Sequence, residues 1–297
     1  GLISNYSSIL PGNVSTTTAD ITAKSLTVIV GSASNKAYDG STTATTTVSV
    51  SGFINTETVT VSAVTSAFSD KNVGSGITVT ISAITLADGT NGGLAANYTT
   101  PTGQTTSANI TKASLTATAS ASDKTYDGNT TATVTLTITG LAGSETLGQT
   151  VGATFDNKNV DTNKTVTVNS ISLADGTNGG LISNYSSILP GNVSTTTADI
   201  TTKTLTATPT ASDKTYDGNT TASTSVSFTG FIGTETVTAT VTSAFSDKNV
   251  GSGKTVTVSA ITLADGTNGG LATNYNVGTG QTTTADITTK TLTATAS

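Results

Sequence analysis

The sequence has 297 residues and a formal charge of −6, with 12 lysines against 18 acids and no Cys, His, Met, Trp or Arg. Lacking Cys, it has no disulfide or thiolate metal site; lacking His and Arg, it has neither the commonest general base nor the bidentate phosphate fork. The thin negative charge argues against nucleic acid and anionic membrane as partners, and no apolar run reaches the length of a membrane span.

About a quarter of the residues are threonine, a β-branched residue that favours the pleated strand and leaves a hydroxyl in water. Hydrophobic residues at 34% and aromatics at 4% imply thin cores, while 10% charge and four prolines do not match the composition of a disordered chain. An all-β protein is the expectation.

In chain order, residues 1–22 repeat residues 180–201 identically, so 1–23 read as the C-terminal part of a preceding repeat, including its Asn5-Tyr6 pair. Lys-x-Leu-Thr openings at Leu26, Leu205 and Leu292, and the one-residue-longer Lys112-Ala113-Ser114-Leu115-Thr116, then head Thr-alternating runs. Tyr-Asp-Gly follows at Tyr38-Asp39-Gly40, Tyr126-Asp127-Gly128 and Tyr216-Asp217-Gly218. Ala-Asp-Gly-Thr-Asn-Gly-Gly-Leu recurs from Ala87, Ala174 and Ala264, and the Asn-Tyr pairs end in Tyr98, Tyr185 and Tyr275. The repeats are placed at 24–111, 112–202 and 203–289, with 290–297 as the first strand of another. The first and third resemble each other more than either resembles the second, which suggests an ABAB super-repeat.

Thr133–Thr139 alternates strictly, setting Val134, Leu136 and Ile138 on one face. Thr165–Val168 also alternates, but Ile171 and Leu173 resume after a slip at Asn169-Ser170, which predicts a bulge. Val193 to Ile200 reads as a final strand. About seven short strands per 90 residues, with no helical periodicity, predict tandem immunoglobulin-like β-sandwiches that need almost no linker and stack into a rod. A ubiquitin-like grasp is the alternative, and it requires a helix that the sequence lacks.

The Leu-Thr-x-Thr-Ala-Ser opening, Asp123-Lys124-Thr125-Tyr126-Asp127-Gly128, Phe-x-x-Lys-Asn-Val-Gly and Asn-Tyr…Ala-Asp-Ile-Thr together resemble the YDG-type repeats, which occur beside MBG repeats. Such repeats belong to large exported bacterial adhesins of the filamentous-haemagglutinin-like, two-partner-secreted kind. The resemblance implies a stalk or matrix role at the bacterial cell surface and brings no catalytic residues. Repeat one departs at Asn35, where the others have Asp.

Each motif also has a plain structural reading. Tyr-Asp-Gly reads as a tight turn with its Tyr packed inward and the hydroxyl on a backbone partner; a glycan platform on exposed tyrosines is the alternative. The Asp-Gly-Thr-Asn-Gly-Gly loops read as Gly-rich hairpins, with Asp70, Asp88, Asp175, Asp247 and Asp265 as alternative calcium ligands. No other cofactor is expected. Glu57, Glu145 and Glu235, one per repeat, sit in Gly-x-Glu-Thr-like segments (Gly143-Ser144-Glu145-Thr146 and close variants) that read as exposed turns; a Lys–Asn crosslink assisted by these acids is the competing idea. Sequons at Asn5, Asn97, Asn129, Asn184 and Asn219 follow from the abundance of Ser and Thr, and an ice-binding reading of the Thr ladders conflicts with sheet twist. The expected function is a non-catalytic extracellular spacer or fibre. Its partners are neighbouring repeats of the same chain, and lateral like chains or surface glycans are the alternatives.

Overall fold

The structure is a computed structural model that describes residues 2, 4, 17–193 and 195–295. Among these residues the regular structure is strand and short 3-10 turn, with no α-helix. Asn5 and Tyr6 lie outside the described residues, as does most of the segment 1–23 read as the end of a preceding repeat; residues 17–23 are exposed.

The middle repeat shows the architecture. Its strands are β1 (Thr116–Ala121), β2 (Lys124–Thr125), β3 (Thr131–Ala132), β4 (Val134–Thr139), β5 (Leu147–Phe155), β6 (Asp161–Asp175) and β7 (Thr196–Thr201). β1 and β4 form an antiparallel pair, from Thr116 opposite Thr139 to Ala121 opposite Val134. The other five form a second sheet in the order β2-β7-β6-β5-β3, parallel between β2 and β7 and antiparallel elsewhere. Tyr126, Ala132, Ala153, Phe155, Val166, Ala198 and Ile200 form a buried cluster, and Ala121 and Val134 of the two-stranded pair pack against it. The result is sandwich-like: two Thr-faced layers over a thin apolar filling.

The long strand β6 carries the slip visible in the sequence. Val168 stands opposite Ala153 and Ser170 opposite Gly152, so Asn169 is the extra residue that switches the inward face. The first and third repeats shift register at the corresponding places, Thr65/Ser66 and Thr242/Ser243. Val193 does not open the final strand as expected. It caps a 3-10 turn at Pro190–Asn192, where the proline's fixed φ suits the turn's first position, and the ladder begins at Thr196.

The first repeat builds the same five-stranded order from Lys36–Ala37, Thr105–Thr111, Gly74–Asp88, Val59–Phe68 and Thr43–Ala44. The third uses Lys214–Thr215, Thr282–Thr288, Gly251–Asp265 and Val237–Phe245. Thr202 alone separates β7 from the first strand of the third repeat, Lys203–Ala211.

Two compact units result, one of residues 1–114, 141–145 and 178–186 and one of 115–140, 146–177 and 187–297. In the first unit, two turns of the middle repeat close onto the first repeat. In the second, the buried cluster of the middle repeat continues into the third through Leu205, Val237 and Tyr275.

Candidate functional site

The Tyr-Asp-Gly turn is built around a lysine three residues before its aspartate. Lys36, Lys124 and Lys214 reach Asp39, Asp127 and Asp217 at 2.7–2.8 Å. Their ammonium groups also donate to the carbonyls of Ser41, Asn129 and Asn219 at 2.8 Å and stand 5.5 Å from the ring centroids of Phe68, Phe155 and Phe245. The aspartates accept from the backbone N–H of Ser41, Asn129 and Asn219, which pins the turn in an Asx geometry. Gly40, Gly128 and Gly218 take φ of 78–81°, a region that only glycine enters freely. Asn35 in repeat one keeps the role of its Asp counterparts: its Oδ1 accepts from Asn109 N–H, as Asp123 does from Asp199 and Asp213 from Asp286.

Held this way, the tyrosine points at the next repeat. In the first unit the Tyr38 hydroxyl donates to Glu145 Oε1 at 2.6 Å, and Tyr185 donates to Oε2 of the same carboxylate at 2.6 Å. The two rings meet edge to face, 5.4 Å between centroids, and Lys71 Nζ lies 3.5 Å from Glu145 Oε1. Alongside, Asn184 accepts from Val73 N–H and donates to Asn72 Oδ1.

The second unit repeats this arrangement one period later. Tyr126 donates to both oxygens of Glu235, at 2.8 and 3.0 Å, and Tyr275 donates to Oε2 at 2.7 Å. Lys158 pairs with Glu235 Oε1 at 2.7 Å, and Asn274 accepts from Val160 N–H and donates to Asn159. Each joint therefore takes Tyr, Lys and Asn-Val from one repeat and Glu, Tyr and Asn from the next.

Two sequence expectations are corrected here. The tyrosine hydroxyl of Tyr38 and Tyr126 finds a carboxylate rather than a backbone partner. Glu145 and Glu235 are not exposed, leaving only 8% and 6% of their surface to solvent, because the Gly-x-Glu turn faces the neighbouring repeat. The turn is itself held from behind. Asn178 and Asn268, at φ 56° and 55°, donate to the carbonyls of Ser144 and Thr234. In the third repeat a Cβ at Gly270 would come within 1.9 Å of the Thr236 carbonyl, so this loop needs glycine to lie against the Glu turn.

Burial opposes the charged form of each glutamate more than any single contact favours it. Hydrogen bonds from Tyr185 and Tyr38, with the Lys71 charge, nevertheless hold the Glu145 carboxyl below the usual carboxylate range. Lys158, Tyr275 and Tyr126 together do the same for Glu235. Burial, reinforced by the bonded carboxylate, pushes the hydroxyls of Tyr38, Tyr126 and Tyr185 above the ordinary phenol value and that of Tyr275 up to about 12. The proton stays on tyrosine and the charge on glutamate. That division suits a structural clamp, since neither group is poised to exchange a proton near neutrality.

The remaining expected residues are placed as follows. Tyr216 is half-buried, and Asp217 and Gly218 form the same turn as their counterparts. Tyr98 is buried and donates to Glu57, which is only half-buried. Asp88 and Asp265 accept from the backbone N–H of Ala95 and Ala272, Asp70 accepts from Asn72, and Asp247 pairs with Lys254. Asp175 closes the ladder opposite Leu147. Among the described residues no three acidic side chains gather at one point. Asn184 is fully buried, so its sequon is closed to modification in the folded chain.

The YDG domain family matches residues 22–108, 111–197 and 201–296, which is most of the chain. The chain belongs to the YDG domain family. No curated protein and no solved structure matches it. The Tyr, Asp and Gly that give the YDG repeats their name thus have distinct roles here: Tyr crosses to the next repeat, Asp pins the turn, and Gly lets it form. The joint has a sequence signal that turn-by-turn reading overlooks. The chain has only three glutamates, and they recur at one position per period, in a period that carries two tyrosines.

Proposed function

We propose that these YDG repeats form a non-catalytic structural segment, a spacer in a bacterial surface or matrix protein that holds other parts of an adhesin at a distance. The joint carries this reading. A buried carboxylate clamped by two tyrosines and a lysine occurs at both repeat boundaries and spends the chain's few buried acids on fixing one repeat to the next. The resemblance to repeats of large exported adhesins supports an extracellular setting, and the absence of Cys suits export. No helix among the described residues is long and apolar enough to cross a membrane.

Two experiments test this reading. Protease shaving or antibody labelling of intact cells should detect the segment outside the cell, and purely cytoplasmic recovery would overturn the localisation. On a glycan array and in polysaccharide pull-downs the purified chain should show no saturable, sugar-specific retention. Saturable retention would instead make the repeats themselves a binding module.

A further inference from the structure

The two joints share their polar parts and differ in their apolar ones. Each sets two tyrosine hydroxyls and a lysine on one glutamate, with an asparagine amide alongside. The residues just ahead of the Gly-x-Glu turn are Leu141-Ala142 in the middle repeat and Phe231-Ile232 in the third. At the second joint Ile232 packs against the buried cluster, with its Cγ2 2.6 Å from where a Cβ on Gly128 would stand. Phe231 meets the Tyr275 ring edge to face, 5.5 Å between centroids. At the first joint Ala142 takes the place of Ile232 and reaches Gly40 with its Cβ alone. Beside it a pocket of about 210 Å³ lies between Asp39-Gly40 and the Glu145 turn. The lysines follow the same trend. Lys158 stands 2.7 Å from Glu235 and 5.8 Å from the Tyr126 ring centroid, whereas Lys71 stands 3.5 Å from Glu145. Both lysine side chains are more than a third exposed, so the apolar difference outweighs the ionic one.

We propose that the two joints are a firm and a loose version of one clamp, and that the joint closed on Ala142 is a built-in opening point that gives way while the joint closed on Ile232 stays shut. Hydrogen bonds to the glutamate fix where each joint closes, and the filling beneath the turn sets how firmly. Ala142 has three fewer side-chain carbons than Ile232 to bury, and the pocket beside it is large enough to admit water next to Glu145. The type of turn follows the type of repeat. The first repeat has Phe53-Ile54 where the third has Phe231-Ile232, and the middle repeat has Leu141-Ala142. In an alternating array firm and loose joints therefore alternate, and warming or pulling opens every second joint first, leaving blocks of two repeats. This proposal goes beyond the spacer reading and stands whether or not that reading holds.

Native-state amide exchange on the full chain compares the joints directly. Val73 N–H is bonded to Asn184 across the first joint and Val160 N–H to Asn274 across the second, and both valines follow an asparagine, so their unprotected rates are alike. Val73 should be about 30-fold less protected than Val160. Moving the filling should move the protection. Ala142→Ile, or the smaller Ala142→Val, should raise protection at Val73 by about threefold or more and leave Val160 within about twofold. Ile232→Ala should bring Val160 down to about the level of Val73. Equal protection of the two valines in the wild type, or greater protection at Val73, overturns the proposal. So does failure of both Ala142 variants to raise Val73. An Ile232→Ala variant that loses as much protection at Val73 as at Val160 also overturns it, since the joints would then open together.

Discussion

Replacing Tyr126 by Phe removes one hydroxyl and leaves almost everything else at the second joint in place. The Phe ring keeps the edge-to-face contact with Tyr275, now 5.5 Å between centroids, and Glu235 keeps Tyr275 and Lys158. The loss is then one hydrogen bond to a buried carboxylate, worth about 2 kcal/mol, and not the larger cost of a buried charge left unpaired. Amide exchange reads this locally. The N–H groups of Val160 and Ile232 bond to Asn274 and Tyr275 across or beside the joint, so their opening should accelerate about 30-fold. Tyr216→Phe is the internal control, because its hydroxyl has no carboxylate partner among the described residues, and it should change exchange less than about twofold. If the two substitutions behave alike, or if Tyr126→Phe leaves Val160 and Ile232 unchanged, the hydroxyl–carboxylate contact is not what holds the joint.

Other paired comparisons use the same contrast between filled and open positions. Gly128→Ala and Gly218→Ala share the strain of a positive φ, but only the first drives a Cβ into Ile232, so Gly128→Ala should cost about 1–3 kcal/mol more in thermal or denaturant melts. Asn274→Ala leaves the Val160 N–H without its acceptor and should cost about 1–3 kcal/mol, whereas Asn97→Ala on the exposed counterpart should cost little. The pH dependence follows from the direction of each shift. The lowered glutamates stabilise the joints above the unfolded carboxylate range, about pH 4.3, and lose that contribution as pH falls through their folded values. The raised tyrosines stabilise below about pH 10 and lose it as pH rises through their folded values, about 12 for Tyr275. Exchange at Val160 should therefore reflect constant joint stability from about pH 5 to about pH 10 and weakening on both sides; a loss centred near pH 7 would contradict the assignment.

Much of the fold is legible in the residues because it is local. Strict alternation at Val134, Leu136 and Ile138 gives β4 its buried face, and the skipped beat at Asn169 marks the bulge. Glycine after Asp in each Tyr-Asp-Gly marks a positive φ. The joint is not legible in that way, because Tyr38 and Glu145 are 107 residues apart and Tyr126 and Glu235 are 109 apart. A Gly-Ser-Glu-Thr segment has the composition of an exposed turn, and only the neighbouring repeat buries it. Val193 departs from the strand pattern for a related reason: its apolar side chain suits a strand, but Pro190 sets a 3-10 turn that delays the ladder. Periodicity itself holds the missing clue. A charge-poor chain that places one glutamate per period uses Glu145 and Glu235 between periods.

A double-mutant cycle between Tyr126 and Glu235 is the most direct test of whether one repeat clamps the next. Tyr126→Phe, Glu235→Gln and the double variant would be compared by exchange at Val160 and by denaturant unfolding. A direct bond in a buried site predicts that the two losses overlap, with a coupling energy of about 1–3 kcal/mol. Simple additivity within about 0.5 kcal/mol would mean that the two side chains act independently and that the clamp does not exist.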